Sequence, residues 1–153
     1  MKLIELTQEK FAQVDDADYA HLKEYNWHLA TGTRGITGAG RRKDGKTIYM
    51  HRQLLNVPQG FEVDHIDGDP LNNQRENLRI CTHAENLRNR KVNKNNTSGY
   101  KGVRNNHEKW QGYLMFNGKF INLGNFSDKQ KAARAYNEAA KVYFGQFARL
   151  NEL

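Results

Sequence analysis

Cysteine is almost missing from this chain, and no apolar run approaches the length needed to cross a bilayer. Cys81 stands alone among 153 residues, which excludes a disulfide framework and any Cys-rich zinc site; no disulfide-linked partner is expected. It lies in an apolar stretch and reads as a small buried hydrophobe. The N-terminus has no signal-type apolar core. These absences give the expectation of a soluble, cytoplasmic monomer with no membrane partner. The mean hydropathy is low, at −0.92, yet 37% hydrophobic and 10% aromatic residues suffice for small packed cores. The length fits one domain or two small ones.

The charge is uneven. The formal net charge is +7 and the isoelectric point about 9.5, which suits a polyanionic partner. Residues 1–74 hold 9 Lys+Arg against 11 Asp+Glu, residues 75–95 hold 6 against 2, and residues 96–153 hold 9 against 4. Basic character therefore begins midway and runs to the C-terminus, as in a protein that lays its second half along phosphates.

The most informative stretch begins Glu62-Val63-Asp64-His65-Ile66-Asp67-Gly68-Asp69 and continues through Asn77-Leu78-Arg79-Ile80 to His83-Ala84-Glu85-Asn86. A carboxylate and an amide oxygen are suitable ligands for a hard divalent ion, and Asp64 and Asn86 supply them. A histidine titrating near neutrality can take a proton from water, and His65 is the neighbour. The apolar-flanked run ending at His65 reads as a short strand, residues 68–70 as a turn, and Leu78–Cys81 as a return strand. Thr82, with Glu85 three residues on, forms a capping box. Asn86 is thereby expected on the first turns of a helix, facing Asp64.

This order of strand, loop, strand and helix resembles the HNH nucleases, whose ββα-metal fold holds one divalent ion. The resemblance implies Asp64 and Asn86 as metal ligands, with Mg²⁺ the first choice and Mn²⁺ the alternative. It also implies His65 as general base and Asn77 as the brace that points it. His83, three residues before Asn86 on one helix face, is a second candidate for the metal or the phosphate. His51 reads instead as a satisfied structural histidine.

Residues 1–49 read as a small α+β module: a hairpin over residues 3–14, a helix over 15–25 and a strand beginning near Trp27. The Gly- and Arg-rich stretch 31–45 has no apolar period and reads as a loop, where Arg34, Arg41, Arg42 and Lys43 are candidate phosphate contacts. The nuclease segment is placed at 50–92. Residues 93–99 read as a basic linker, a flexible connector that doubles as a strap ordering in a DNA groove. Arg88, Arg90 and Lys91 before the linker and Lys94 within it are the cations expected on DNA.

Residues 100–153 read as a second domain. Tyr100–Arg104 gives a first strand, and Trp110–Phe116 alternates. Asn117-Gly118 is a strong hairpin signal, and Lys119–Leu123 returns. Ser127 with Gln130 gives a capping box, and a helix rich in alanine runs to Gly145. The expected fold is therefore α+β throughout, ending in a three-stranded antiparallel sheet packed on one helix.

Tyr100-Lys101-Gly102-Val103-Arg104, Leu123-Gly124-Asn125-Phe126, Ala132-Ala133-Arg134-Ala135-Tyr136 and Ala148-Arg149-Leu150-Asn151 make this segment similar to the DNA-binding domain of plant ethylene-response (Apetala) factors. The resemblance implies a sheet that enters the major groove of double-stranded DNA. It places Lys101, Arg104, Gln111, Tyr113, Met115 and Asn122 at the contact, although Tyr113, Met115, Phe120 and Asn122 depart from the plant residues. A nuclease joined to such a domain resembles the free-standing, phage-type homing endonucleases, which implies a bacterial or phage-infected host cell. The alternative is a non-catalytic, sequence-specific transcriptional regulator. An intact Asp64/His65/Asn86 set favours the nuclease.

Overall fold

The computed structural model describes residues 1–33, 35–93 and 95–153. Arg34 and Lys94, both expected among the phosphate contacts, lie outside the described residues. The fold is mixed α+β, with small sheets and four α-helices among the described residues. It divides into two compact units, residues 1–86 and 87–153.

The first unit starts with a hairpin of β1 (Lys2–Glu5) and β2 (Phe11–Val14). Its alternation sends Ile4, Ala12 and Val14 inward and leaves Leu3 and Phe11 exposed. Helix α1 (Asp16–Leu22) carries Asp16 and Asp18 in its first turn, where the helix dipole favours them. It buries Leu22 against Trp27 and Met50 in the core of this unit.

Strands β3 (His28–Gly32), β4 (Gly35–Lys43) and β5 (Lys46–Tyr49) make an antiparallel sheet in that order. This corrects the expected loop over 31–45. Strand β4 buries only Gly38, Ala39 and Gly40, so it has no apolar alternation to betray it. Pairing on both sides holds it, together with a two-residue turn at Asp44 (φ 49°) and Gly45 (φ 75°). Its two arginines are engaged within the fold, while Lys43 is exposed. The Arg41 guanidinium lies 4.2 Å over the Tyr25 ring and donates to Gln53 Oε1. Arg42 donates to Gly45 O and Thr47 Oγ1. Helix α2 (Met50–Leu55) then ends at Asn56, which adopts the left-handed conformation.

Strands β6 (Glu62–His65) and β7 (Leu78–Cys81) pair antiparallel, with Asp64 opposite Arg79 and His65 opposite Leu78. The loop between them is sewn to the N-terminal hairpin. Gln13 N–H donates to Leu71 O and Asn73 N–H donates to Gln13 O, each at 2.8 Å. Helix α3 (His83–Asn89) follows. Its start has the expected reciprocal box: Thr82 N–H donates to Glu85 Oε2 at 2.8 Å, and Glu85 N–H to Thr82 Oγ1 at 3.3 Å.

In the second unit β8 (Val103–Asn106), β9 (Lys109–Phe116) and β10 (Lys119–Phe126) form one antiparallel sheet with β9 central. Helix α4 (Lys129–Phe144) covers one face, burying Ala132, Ala133, Tyr136, Ala140 and Phe144 against Val103 and Leu114. Three details differ from expectation. The first strand starts at Val103, because Gly102 turns the chain at φ +69° and a Cβ there would fall 1.9 Å from Tyr136 Cδ2. The α4 cap is Asp128, whose carboxylate accepts from Lys131 N–H at 2.8 Å, rather than Ser127 one residue earlier. The expected connector is folded from Asn96 onward: Ser98 is 1% exposed and its hydroxyl bonds Val103 O at 2.9 Å.

Candidate active site

Strand β6 carries candidate site residues on both faces. Glu62 and Asp64, two residues apart, share one face, and His65 turns to the other. Asp64 is 4% exposed. Its Oδ2 accepts from Arg79 Nε at 2.8 Å and from Arg79 Nη2 at 2.5 Å, a pair set up by the cross-strand register. Sequence reading missed Arg79, although its place in Asn-Leu-Arg opposite the Asp was the available signal.

Asn77 closes the loop beside His65. Its Oδ1 accepts from Asp67 N–H at 3.0 Å, while its Nδ2 donates to Asp67 Oδ1 at 3.0 Å and Asn72 O at 2.9 Å. Every polar atom of the Asn77 amide thus clamps residues 67–72. Burial pushes the Asp67 carboxyl up, but hydrogen bonds from Asp69 N–H, Asn72 and Asn77 outweigh it and hold the pKa below its ordinary value.

His65 is held neutral. Burial is the largest influence and lowers its pKa, against opposing pulls from Asn73 and from the carboxylates of Asp67, Asp64 and Asp69. Its ring meets His51 edge-on, 5.1 Å between centroids, and His51 in turn stacks on Tyr49 at 5.4 Å. This corrects the reading of His51 as a satisfied structural histidine. Its Nδ1 is buried with no hydrogen-bond partner among the described residues, and burial drives its pKa down to about 3. A Cβ added at Gly38, whose φ is +142°, would fall 3.5 Å from that ring. No sequence signal joins His51 to His65; only the packing of α2 on β6 does.

Asn86 reaches back from α3 to β6. Its Nδ2 donates to Glu62 Oε2 at 2.6 Å, and His83 Nδ1 meets Glu62 Oε1 at 2.8 Å. The hydrogen bond from Asn86 is the main reason that the Glu62 carboxyl sits below its ordinary pKa. Sequence reading expected Asn86 opposite Asp64 and overlooked Glu62, the residue it touches.

The chemistry of the donor set suits a hard ion. One carboxylate (Asp64) and one amide oxygen (Asn86) match the sparse protein ligation typical of Mg²⁺, which completes its shell with water and substrate phosphate. Among the described residues no group of three or more His, Cys, Asp and Glu side chains is placed to hold a metal. A dedicated all-protein cage is therefore not what these residues offer.

In the second unit the sheet face opposite α4 bears a connected polar and aromatic patch. Arg104 lies over the stacked rings of Tyr113 and Phe120, at 5.3 and 5.0 Å. Its Nε donates to Gln111 Oε1, and Gln111 Nε2 donates to Asn122 Oδ1. Gln111 is thus a buried bracket, whereas Arg104, Met115, Phe120 and Asn122 are exposed.

The other expected contacts differ in placement. The Lys101 ammonium donates to the carbonyls of Arg88 and Arg90. The Arg88 guanidinium lies 5.2 Å over both Phe116 and Phe144. Arg90 and Lys91 are exposed.

A family profile described as HNH endonuclease matches residues 56–88, the segment from the end of α2 through most of α3. A protein of Acanthamoeba polyphaga mimivirus, named as an uncharacterized HNH endonuclease, is 31% identical over 150 residues, covering 94% of this chain and 75% of its own length. Protein 3.8 of Escherichia phage T7 is 39% identical over 95 residues, covering 61% of this chain and 78% of its own. Protein 2.8 of the same phage is 36% identical over 62 residues, covering 40% and 45%. No solved structure matches the chain. The matched segment holds Asp64, His65, Asn77 and Asn86 together, and the mimivirus likeness runs through both units: the chain belongs to the HNH endonuclease family.

Proposed function

We propose that this protein is a metal-dependent endonuclease that hydrolyses phosphodiester bonds in double-stranded DNA, with its second unit holding the duplex in the manner of the ethylene-response domains. The observation that carries the reading is the reach of Asn86 from α3 to β6. It meets Glu62, two residues before Asp64 on the same strand face.

Asp64 and Asn86 would hold one divalent ion, Mg²⁺ or Mn²⁺, which when bound stabilises negative charge developing on the phosphate. His65 takes the proton of the attacking water. Its lowered pKa keeps the ring an acceptor at neutral pH. Asn77 keeps the 67–72 loop from displacing that ring. Arg79 sets the rotamer of Asp64, and His83 remains the second candidate for the phosphate. The exposed Arg104, Met115 and Asn122 of the second sheet, with the half-buried Tyr113, would face the groove, with Arg90 and Lys91 on the backbone. Such a protein acts as a monomer of the homing type.

The test is nicking of supercoiled plasmid by the purified chain with and without Mg²⁺ or Mn²⁺. Cleavage should need the ion and vanish in Asp64→Ala and Asn86→Ala, while duplex affinity stays near wild type. Equal activity in EDTA, or full activity in either variant, would remove the single-metal reading. Tight duplex binding with no cleavage under any of these ions would leave the transcriptional regulator in its place.

A further inference from the structure

We propose that Glu62 is a positioning residue that orients the Asn86 amide, so that its carbonyl oxygen is the edge offered to a divalent cation. The inference rests on the reading of Asn86 as a ligand, and it names the residue that makes Asn86 competent for that role.

The argument begins with what each group can do. An ionised carboxylate only accepts hydrogen bonds, whereas an amide has two donors on one edge and an acceptor on the other. Asn86 approaches Glu62 Oε2 at 2.6 Å. At that distance the amide edge facing the carboxylate has to be the NH₂, because the reverse would set a carbonyl oxygen against a carboxylate oxygen. Oδ1 is consequently turned away from Glu62. A hard cation binds an amide through oxygen alone. The half of Asn86 that binds metal is therefore the half that Glu62 does not hold.

Glu62 is itself restrained. Its second oxygen, Oε1, meets His83 Nδ1 at 2.8 Å. Both partners stand on α3, three residues apart on one helix face, so the carboxylate is gripped at both ends by one helix. The start of that helix is fixed by the Thr82–Glu85 box. Register then places Glu62 one alternation before Asp64 on β6. One strand thus supplies both an anionic ligand and the acceptor that presets its partner ligand, as when outer groups orient metal ligands. Without Glu62 the amide would sample both orientations, one of which points N–H at the cation.

The experiment measures Mn²⁺ binding to the full-length protein without DNA, by calorimetry and by loss of the free-ion electron paramagnetic resonance signal. Cleavage plays no part in the readout. Glu62→Ala, and Glu62→Met as a volume-filling deletion, should weaken Mn²⁺ binding by about 10–100-fold. Glu62→Gln, whose Oε1 still accepts the Asn86 N–H, should keep most of the affinity.

In an Asn86→Asp background the ligand has two equivalent oxygens and needs no orientation. Deleting the Glu62 carboxylate there should cause no further loss. Wild-type affinity in both deletions would overturn the proposal. So would a Gln variant as weak as the deletions, which would make Glu62 a ligand by charge, or an undiminished loss in the Asn86→Asp background. Unchanged Mn²⁺ binding in Asp64→Ala and Asn86→Ala would instead strike the ligand assignment itself. Loss in those two with intact binding in the Glu62 variants would strike only the positioning role.

Discussion

The His51 imidazole meets the His65 ring in a T-shaped contact at 5.1 Å and is itself stacked on Tyr49. His51 therefore helps to fix the orientation of the ring proposed to take the proton from water. Truncating it to alanine should lower kcat by about 10–100-fold, in line with the cost of slight misplacement of a catalytic group, with little change in duplex affinity. His51→Phe keeps a ring against His65 and should retain more activity than the alanine variant. Single-turnover cleavage alongside filter binding separates the two effects.

The same burial makes a prediction about acid. His51 has a folded pKa of about 3, below the value near 6.5 of an unfolded histidine. Between those values the unfolded chain binds the proton and the folded chain does not. Stability is then fully present above about pH 6.5 and falls as pH drops toward 3, by at most about 1.4 kcal/mol per pH unit from this one group. His65, also lowered, acts in the same direction. Urea midpoints measured from pH 7.5 to 4.5 should decline, and decline less steeply in His51→Phe.

Arg79 and Asp64 form a nearly buried pair, with side chains 14% and 5% exposed. Arg79→Ala should cost about 3 kcal/mol, because it removes a guanidinium from beside a buried carboxylate. A divalent ion held at Asp64, as proposed, would supply compensating charge and bind only the folded form, so Mg²⁺ should restore part of the loss. Thermal melts with and without Mg²⁺ test this. A deficit that Mg²⁺ does not touch would place the ion away from Asp64.

Lys101 and Arg104 look alike in the sequence but hold different positions. The Lys101 ammonium is on the carbonyls of Arg88 and Arg90, whereas Arg104 is exposed over Tyr113 and Phe120. Arg104→Ala should weaken duplex binding and reduce the salt slope by about 0.9 if it neutralises one phosphate. Lys101→Ala should lower the melting temperature and leave the salt slope unchanged. Equal slopes in the two variants would return Lys101 to the contact surface.

What the sequence disclosed was whatever rests on local pattern. The β1–β2 hairpin, the strands flanking the 66–77 loop, the Thr82–Glu85 box and the Asn117-Gly118 turn each announce themselves within a few residues. Strand β4 did not, because glycine and arginine carry no alternation, yet Asp44-Gly45 was a usable hairpin signal inside it. The shift of the α4 cap from Ser127 to Asp128 reflects two adjacent residues equally able to cap. The engagement of Glu62 by Asn86 and of His65 by His51 was illegible for a different reason. Each joins residues 24 or 14 positions apart through the packing of separate elements, and nothing local encodes that.

The hydrogen bonds from the N-terminal hairpin to the 71–73 loop bear on when this site comes into being. Leu71 and Asn73 bond Gln13, and Arg75 N–H reaches the Asp15 carboxylate across 60 residues of chain. Contacts so distant in sequence form late, after the entropy of closing the intervening loop has been met. On the ribosome, the hairpin emerges long before its partner loop. A nascent chain would accordingly carry His65 into the cell before that loop could lock around it. Hydrolytic competence would then be a property of the finished first unit, withheld from partial chains that could otherwise nick the nearest DNA.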